Sequence, residues 1–250
     1  MYRHVRPPAM MIAGTLPAIG LQASGAWAWG MLALIALGFA VGWPALANLP
    51  APQTASLVLA ATAGIAIYLT ARWGTAGAAA TATLVALGIG FSLAIMRELI
   101  RPAPRQNLIR SVCGTATGLA LVSMCGLFLG VVPESLELAW AGAIGVAAGG
   151  LAALAGQLLA GRPWQWLLMI GLAVALGVGI TWAMQPWLPR TGYITLVLGG
   201  VCAFSPPALS AWLDRAGGAW VSQASARDLA VIVLPTVLAA GPIWMASLAW

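Results

Sequence analysis

The sequence predicts an all-α fold, a polytopic transmembrane helical bundle of about eight spans, and three observations predict it. Hydrophobic residues make up 62% of the chain and charged residues 6%, leaving too little polar surface to cover a water-soluble globule. Apolar runs close to the roughly 20 residues needed to cross a hydrocarbon core follow one another with short connections. None of these runs alternates as a barrel strand does, so backbone amides must find partners within their own segment, which means helices.

The runs lie at 27–47, 54–72, 76–96, 109–132, 138–160, 164–185, 192–212 and 228–249. Their connections carry turn chemistry: Asn48-Leu49-Pro50-Ala51-Pro52, Arg72-Trp73-Gly74, Pro133-Glu134, Gly161-Arg162-Pro163 and Pro186 to Gly192. Residues 27–250 thus form a single transmembrane domain. Residues 1–26 stand apart as an N-terminal segment, in which Arg3 and Arg6 precede a moderately apolar stretch at 8–23. That stretch reads as an interfacial helix, a signal-like segment or a ninth span, although Pro17 makes it a poor one.

Helix ends are marked as well. Ser225-Ala226-Arg227-Asp228 has the spacing of a capping box ahead of the last run. Glu134 and Glu137 follow Pro133, where a helix dipole favours carboxylates in the first turn; a pore mouth that collects cations is the functional alternative. Of the 13 tryptophans, Trp27, Trp29, Trp73, Trp140, Trp164, Trp166, Trp182, Trp187, Trp212 and Trp250 fall near span ends and form an interfacial belt. Trp43 and Trp244 do not fit that placement.

Charge sets orientation. All 11 basic residues other than His4 are arginines, and the densest group runs from Met96 to Arg110, with Arg97, Arg101, Arg105 and Arg110 between two apolar segments. With eight spans and this loop inside, seven arginines (97, 101, 105, 110, 162, 215, 227) lie on the cytoplasmic side and four (3, 6, 72, 190) outside. A ninth span at 8–23 would move Arg3 and Arg6 inside, for a split of nine to two. In both arrangements the positive-inside rule makes loop 97–110 cytoplasmic and the C-terminus external, which fits a multi-pass protein of the plasma membrane. Arginines placed there meet anionic headgroups rather than nucleic acid. Arg97 and Arg101, at i and i+4, can share a helix face, and arginine forks can also grip a phosphate, so the group is a candidate contact for anionic lipid or a protein partner.

Several chemistries lack their residues. His4 is the only histidine, and Cys113, Cys125 and Cys202 have no paired spacing, so no metal or other cofactor is expected and a disulfide framework is not indicated. No ionisable residue falls in the middle of an expected span, which disfavours a proton relay. Intramembrane polar groups are hydroxyls and an amide, among them Thr62, Thr70, Ser92, Thr115, Thr117, Ser123, Gln157, Thr181 and Thr195. These line a path for a neutral solute or bond to carbonyls of their own helix. Ser205-Pro206-Pro207, Pro235 and Gly241-Pro242 interrupt two runs and free carbonyls, as the broken helices of transporters do at their midplane sites. Thr115, Thr117, Ser205, Pro206 and Pro207 are therefore the candidate pathway lining. Gly114-x-x-x-Gly118, Gly126-x-x-x-Gly130 and Gly145-x-x-x-Gly149 permit close helix approach, either within the bundle or against another membrane protein.

Two short motifs carry a resemblance: Gly42-Trp43-Pro44-Ala45-Leu46 with Leu49-Pro50-Ala51-Pro52, and the run from Arg97 through Arg101 and Arg105 to Ser111, followed by Thr115-Ala116-Thr117-Gly118. In these, and in hydropathy pattern over most of its length, the chain resembles a group of uncharacterised actinobacterial multi-pass membrane proteins often labelled permeases. The resemblance implies an eight-span envelope protein. The acidic, lysine-rich signature of phosphatidate cytidylyltransferases is missing; Asp214-Arg215 is all that stands in its place. The expectation is a permease-like, non-enzymatic membrane protein that passes a small neutral solute. A scaffold for envelope proteins, built on the glycine stripes, and a lipid-phosphate-modifying enzyme are the alternatives.

Overall fold

In a computed structural model, residues 12, 15, 19, 25–73, 76–101, 108–127, 136–158, 165–183, 197, 199–204 and 224–248 are described. Among them are seven α-helices: α1 (Gly25–Leu46), α2 (Pro52–Trp73), α3 (Ala76–Ile100), α4 (Leu108–Ser123), α5 (Leu136–Leu158), α6 (Gln165–Ala183) and α7 (Ala224–Leu248). A further helical stretch covers 199–204. The helices form an all-α bundle.

The expected span count is corrected. Among the described residues four helices are long and apolar enough to cross a membrane, Trp29–Leu46, Pro52–Trp73, Ala78–Ile100 and Leu108–Leu127, not about eight. Within α5, α6 and α7 the apolar stretches that the described residues cover, Ala139–Ala152, Leu167–Ala183 and Ala230–Ile243, are of 10–17 residues, below the roughly 20 a crossing needs, although the helices themselves run to 23, 19 and 25 residues. The ninth-span reading of 8–23 falls mostly outside the described residues.

The first four helices run up and down. α2 packs between α1 and its two successors, α3 and α4, while α7 lies against α1 and α5, and α5 pairs with α6. One core joins Leu32, Phe39, Leu59, Ala94, Leu119, Val122, Val146, Val231, Val237 and Ile243 from six of the helices. A smaller one is built from Ala148, Ala152, Ala173 and Ala203. Outward faces are also apolar: Leu34, Leu57, Leu84, Leu167 and Met245 are all more than half exposed. A large apolar outer surface on a bundle with four spanning helices defines a multi-pass membrane protein.

Small residues let the backbones meet. Gly145 of α5 and Gly177 of α6 both abut the carbonyl of Gly199, so the 199–204 stretch is wedged between those two helices. Gly126 rests on Ala66 and Thr70 of α2, and Gly118 receives the indole of Trp43. Gly114, Gly118, Gly126 and Gly145 of the three stripes thus meet partners within the chain.

Some helix boundaries differ from expectation. α3 continues past 96 to Ile100, and Arg110 already lies in the first turn of α4. The arginine group is therefore two helix ends with a connection between them, not one loop. α7 begins at Ala224, so Ser225 is inside the helix rather than at its cap. Glu137 falls in the first turn of α5, whereas Glu134 is outside the described residues.

Candidate functional site

The turn from α1 to α2 is set by local sequence. Pro44 sits in the last turn of α1, and the chain leaves the helix in a Schellman arrangement: Leu49 N–H donates to the Pro44 carbonyl (2.8 Å) and Asn48 N–H to that of Ala45 (3.3 Å). Asn48 has φ 50°, the left-handed conformation such a cap requires and asparagine tolerates. Leu49 folds back, nearly buried, over Gly114. Pro52 then opens α2, where its missing N–H costs nothing. Ala51 between them has φ 60°, a strain of roughly 1–2 kcal/mol for a residue with a Cβ.

That strained residue turns its carbonyl toward α3. The Ala51 oxygen accepts from Thr54 Oγ1 (3.1 Å), from Ala55 N–H (3.4 Å) and from Arg97 Nη2 (3.2 Å). Arg97 is in the last turn of α3, where the helix dipole favours a cation, yet its side chain is only 8% exposed. Its guanidinium makes four hydrogen bonds and one ion pair. Nε donates to Thr54 Oγ1 (2.7 Å), Nη1 to Thr115 Oγ1 (3.2 Å) and toward Glu98 Oε1 (3.2 Å), and Nη2 to the carbonyls of Pro50 (3.0 Å) and Ala51. A guanidinium has five donors, so Arg97 is consumed by the fold.

Glu98 is buried beside it, its side chain 7% exposed. Oε1 accepts from Ser111 Oγ of α4 at 2.6 Å, and Oε2 faces Arg101 Nη1 at 3.5 Å. Arg101, one residue beyond α3, keeps a fifth of its side chain exposed. The cluster joins the α1–α2 turn, the end of α3 and the start of α4. Nearby, Trp43 stacks on Phe39 (centroids 5.3 Å apart, 22° between planes) and donates its indole N–H to the Gly114 carbonyl at 2.8 Å.

The sequence-derived candidates separate accordingly. Arg97, Arg101 and Thr115 come together; Arg110 is exposed in the first turn of α4, beside Ser111. Thr117, two residues from Thr115, is exposed and bonds to the Cys113 carbonyl of its own helix (2.9 Å). Arg105, Ser205, Pro206 and Pro207 lie outside the described residues, as does the side chain of Trp244. Sequence reasoning missed Thr54, Ser111 and the Pro50 and Ala51 carbonyls as partners of the charged pair, although the two short motifs quoted above contain most of them. Those motifs meet in space.

Elsewhere the buried polar groups are hydroxyls. Thr62, Thr70, Ser123 and Thr181 donate to carbonyls of their own helices, at 2.7–3.0 Å. Thr236 of α7 is different. It is 1% exposed, its hydroxyl has no partner among the described residues, and it follows Pro235, whose missing N–H leaves the Val231 carbonyl without its helical donor. An open groove of about 430 Å³ between α6 and the 197–204 stretch is lined by Val174, Val178, Val197, Gly200, Val201 and Phe204 and offers hydrocarbon only. None of the three cysteines is in a disulfide: Cys113 is exposed, and Cys125 and Cys202 are buried.

No protein-family model, curated protein or solved structure matches the chain.

Proposed function

We propose that the chain is a permease-like, non-catalytic protein of the plasma membrane that passes a small neutral solute, with the 97–110 segment in the cytoplasm and the C-terminus outside. The observation that carries the solute reading is the buried, unpartnered Thr236 hydroxyl beside the Pro235 break in α7. An orphaned hydroxyl and a freed carbonyl supply one donor and one acceptor in an apolar helix, which suits an uncharged polar solute better than an ion. The charges nearest the membrane interior, on Arg97 and Glu98, are taken up by each other and by neighbours, and so are not available for a relay.

The expected result is that Thr236→Val, close in shape, lowers neutral-solute flux at least several-fold in proteoliposomes challenged with glycerol or urea and followed by light scattering. Its thermal stability should hold or rise by about 1 kcal/mol, because an unmatched buried hydroxyl is removed. Equal flux in wild type and in protein-free vesicles would end the permease reading.

Orientation rests on the ends of the first four helices. Arg97, Arg101 and Arg110 share the end that holds the α1–α2 turn, whereas Arg72 closes α2 at the other. Gly241, late in α7, lies beside Met124 at the end of α4 remote from the arginines, which supports an external C-terminus when the arginine end is internal. A cysteine introduced by Ala103→Cys, in a background with Cys113→Ser, should stay unlabelled by an impermeant maleimide in intact cells and react after permeabilisation. Labelling in intact cells would reverse the orientation.

A further inference from the structure

We propose that Arg101 binds the phosphate of an anionic lipid headgroup at the rim of the Arg97–Glu98 cluster. The inference is independent of solute passage and begins with charge. Arg97 and Arg101 bring two positive charges against the single negative charge of Glu98, so the cluster keeps one positive charge in a largely desolvated place, where an unmatched ion is costly. The surplus does not fall on Arg97, whose guanidinium is held by four hydrogen bonds and an ion pair.

It falls to Arg101. Its Nη1 is buried and has no hydrogen-bond acceptor among the described residues, because Glu98 Oε2 lies 3.5 Å away without hydrogen-bond geometry. The rest of the side chain is partly exposed, so the fork is open to a ligand on one side and backed by the cluster on the other. A phosphate presents oxygens at the spacing an arginine fork recognises. The surroundings select its source. Leu99, Ile100 and Ile109 are 63%, 76% and 80% exposed on either side of the arginine, a surface for acyl chains, so a phosphate arriving with its own hydrocarbon fits better than a free ion. Arg110, next in sequence to the Ser111 that bonds Glu98, adds positive charge to the start of α4.

The test uses the full chain in neutral detergent, with phosphatidylglycerol, phosphatidylcholine or inorganic phosphate as probes, read by native mass spectrometry and thermal unfolding. Phosphatidylglycerol should be retained and raise the unfolding temperature. Arg101→Gln should weaken its binding about five- to tenfold, the order expected for one arginine near an anionic headgroup. Arg101→Lys, which preserves the charge facing Glu98 but loses the fork, should bind with intermediate affinity, and Arg72→Gln at the opposite end should bind as wild type does. If Arg101→Gln does not fold, the lysine variant alone decides, since affinity equal to wild type overturns the proposal. Equal retention of phosphatidylcholine, a response to inorganic phosphate alone, or undiminished phosphatidylglycerol binding by Arg101→Gln would each overturn it as well.

Discussion

Replacing Arg97 by methionine is expected to cost about 3–5 kcal/mol of stability, the loss seen when one member of a buried ion pair is removed and the other charge stays behind. The substitution keeps an unbranched side chain in place of the guanidinium. It leaves Glu98 with Ser111 and with Arg101, which lies at 3.5 Å without hydrogen-bond geometry, and it strips the Pro50 and Ala51 carbonyls, Thr54 and Thr115 of a shared donor. Unfolding by added sodium dodecyl sulfate in mixed micelles would measure it. Arg97→Lys should fall between, at about 2 kcal/mol, because three ammonium donors cannot serve five acceptors. The double variant Arg97→Met, Glu98→Gln should lose less than the sum of the two single losses, since the charges are coupled. A loss below about 1 kcal/mol for Arg97→Met would show that water reaches the cluster and shields it.

The second large effect is expected at Gly145, where alanine should destabilise the protein by about 1–3 kcal/mol. Its new Cβ would abut the Gly199 carbonyl and lie 2.8 Å from Cys202 Cβ. Backbone cannot rotate away as a side-chain tip can, so α5 and the 199–204 stretch must separate. The same substitution at Gly171 of α6 meets nothing within 4 Å and should stabilise by about 0.5–1 kcal/mol through helix propensity. Opposite signs for one chemical change, compared by thermal unfolding, would establish that the glycines of this bundle are used selectively. Loss of stability in both variants would mean that α6 has a further partner.

The helical, membrane-embedded character was legible in the chain because composition and run length respond directly to the solvent. The number of crossings was not. An apolar run says where hydrocarbon is tolerated but not how much of it is apolar helix of spanning length, and among the described residues α5, α6 and α7 show apolar stretches of 10–17 residues. At the site, Arg97 and Arg101 were visible as charges, and their spacing predicted a common helix face. What spacing could not reveal was that α3 continues through both Arg97 and Glu98, turning a solvated loop into a buried pair. Nor could it name acceptors 46 and 47 residues upstream, which depend on helices packing before any contact exists. Trp43 was conspicuous by being away from the expected belt. The structure gives the reason, an indole bonded to the Gly114 carbonyl and resting on Gly118.

The separation between Ala51 and Arg97 also sets a clock on biosynthesis. The α1–α2 hairpin leaves the ribosome with the Pro50 carbonyl bare and that of Ala51 bonded only within its own turn, and the guanidinium that closes them is 46 residues behind Ala51. At synthesis rates of about 5–20 residues per second, that is an interval of roughly 2–9 s. During it the hairpin must wait near the water interface or beside the insertion machinery, because bare carbonyls are poorly tolerated in hydrocarbon. Arrival of α3 therefore acts as the latch that commits the first half of the chain to the bilayer, and a pause in translation between 51 and 97 would prolong the one stage at which that half is still unlocked.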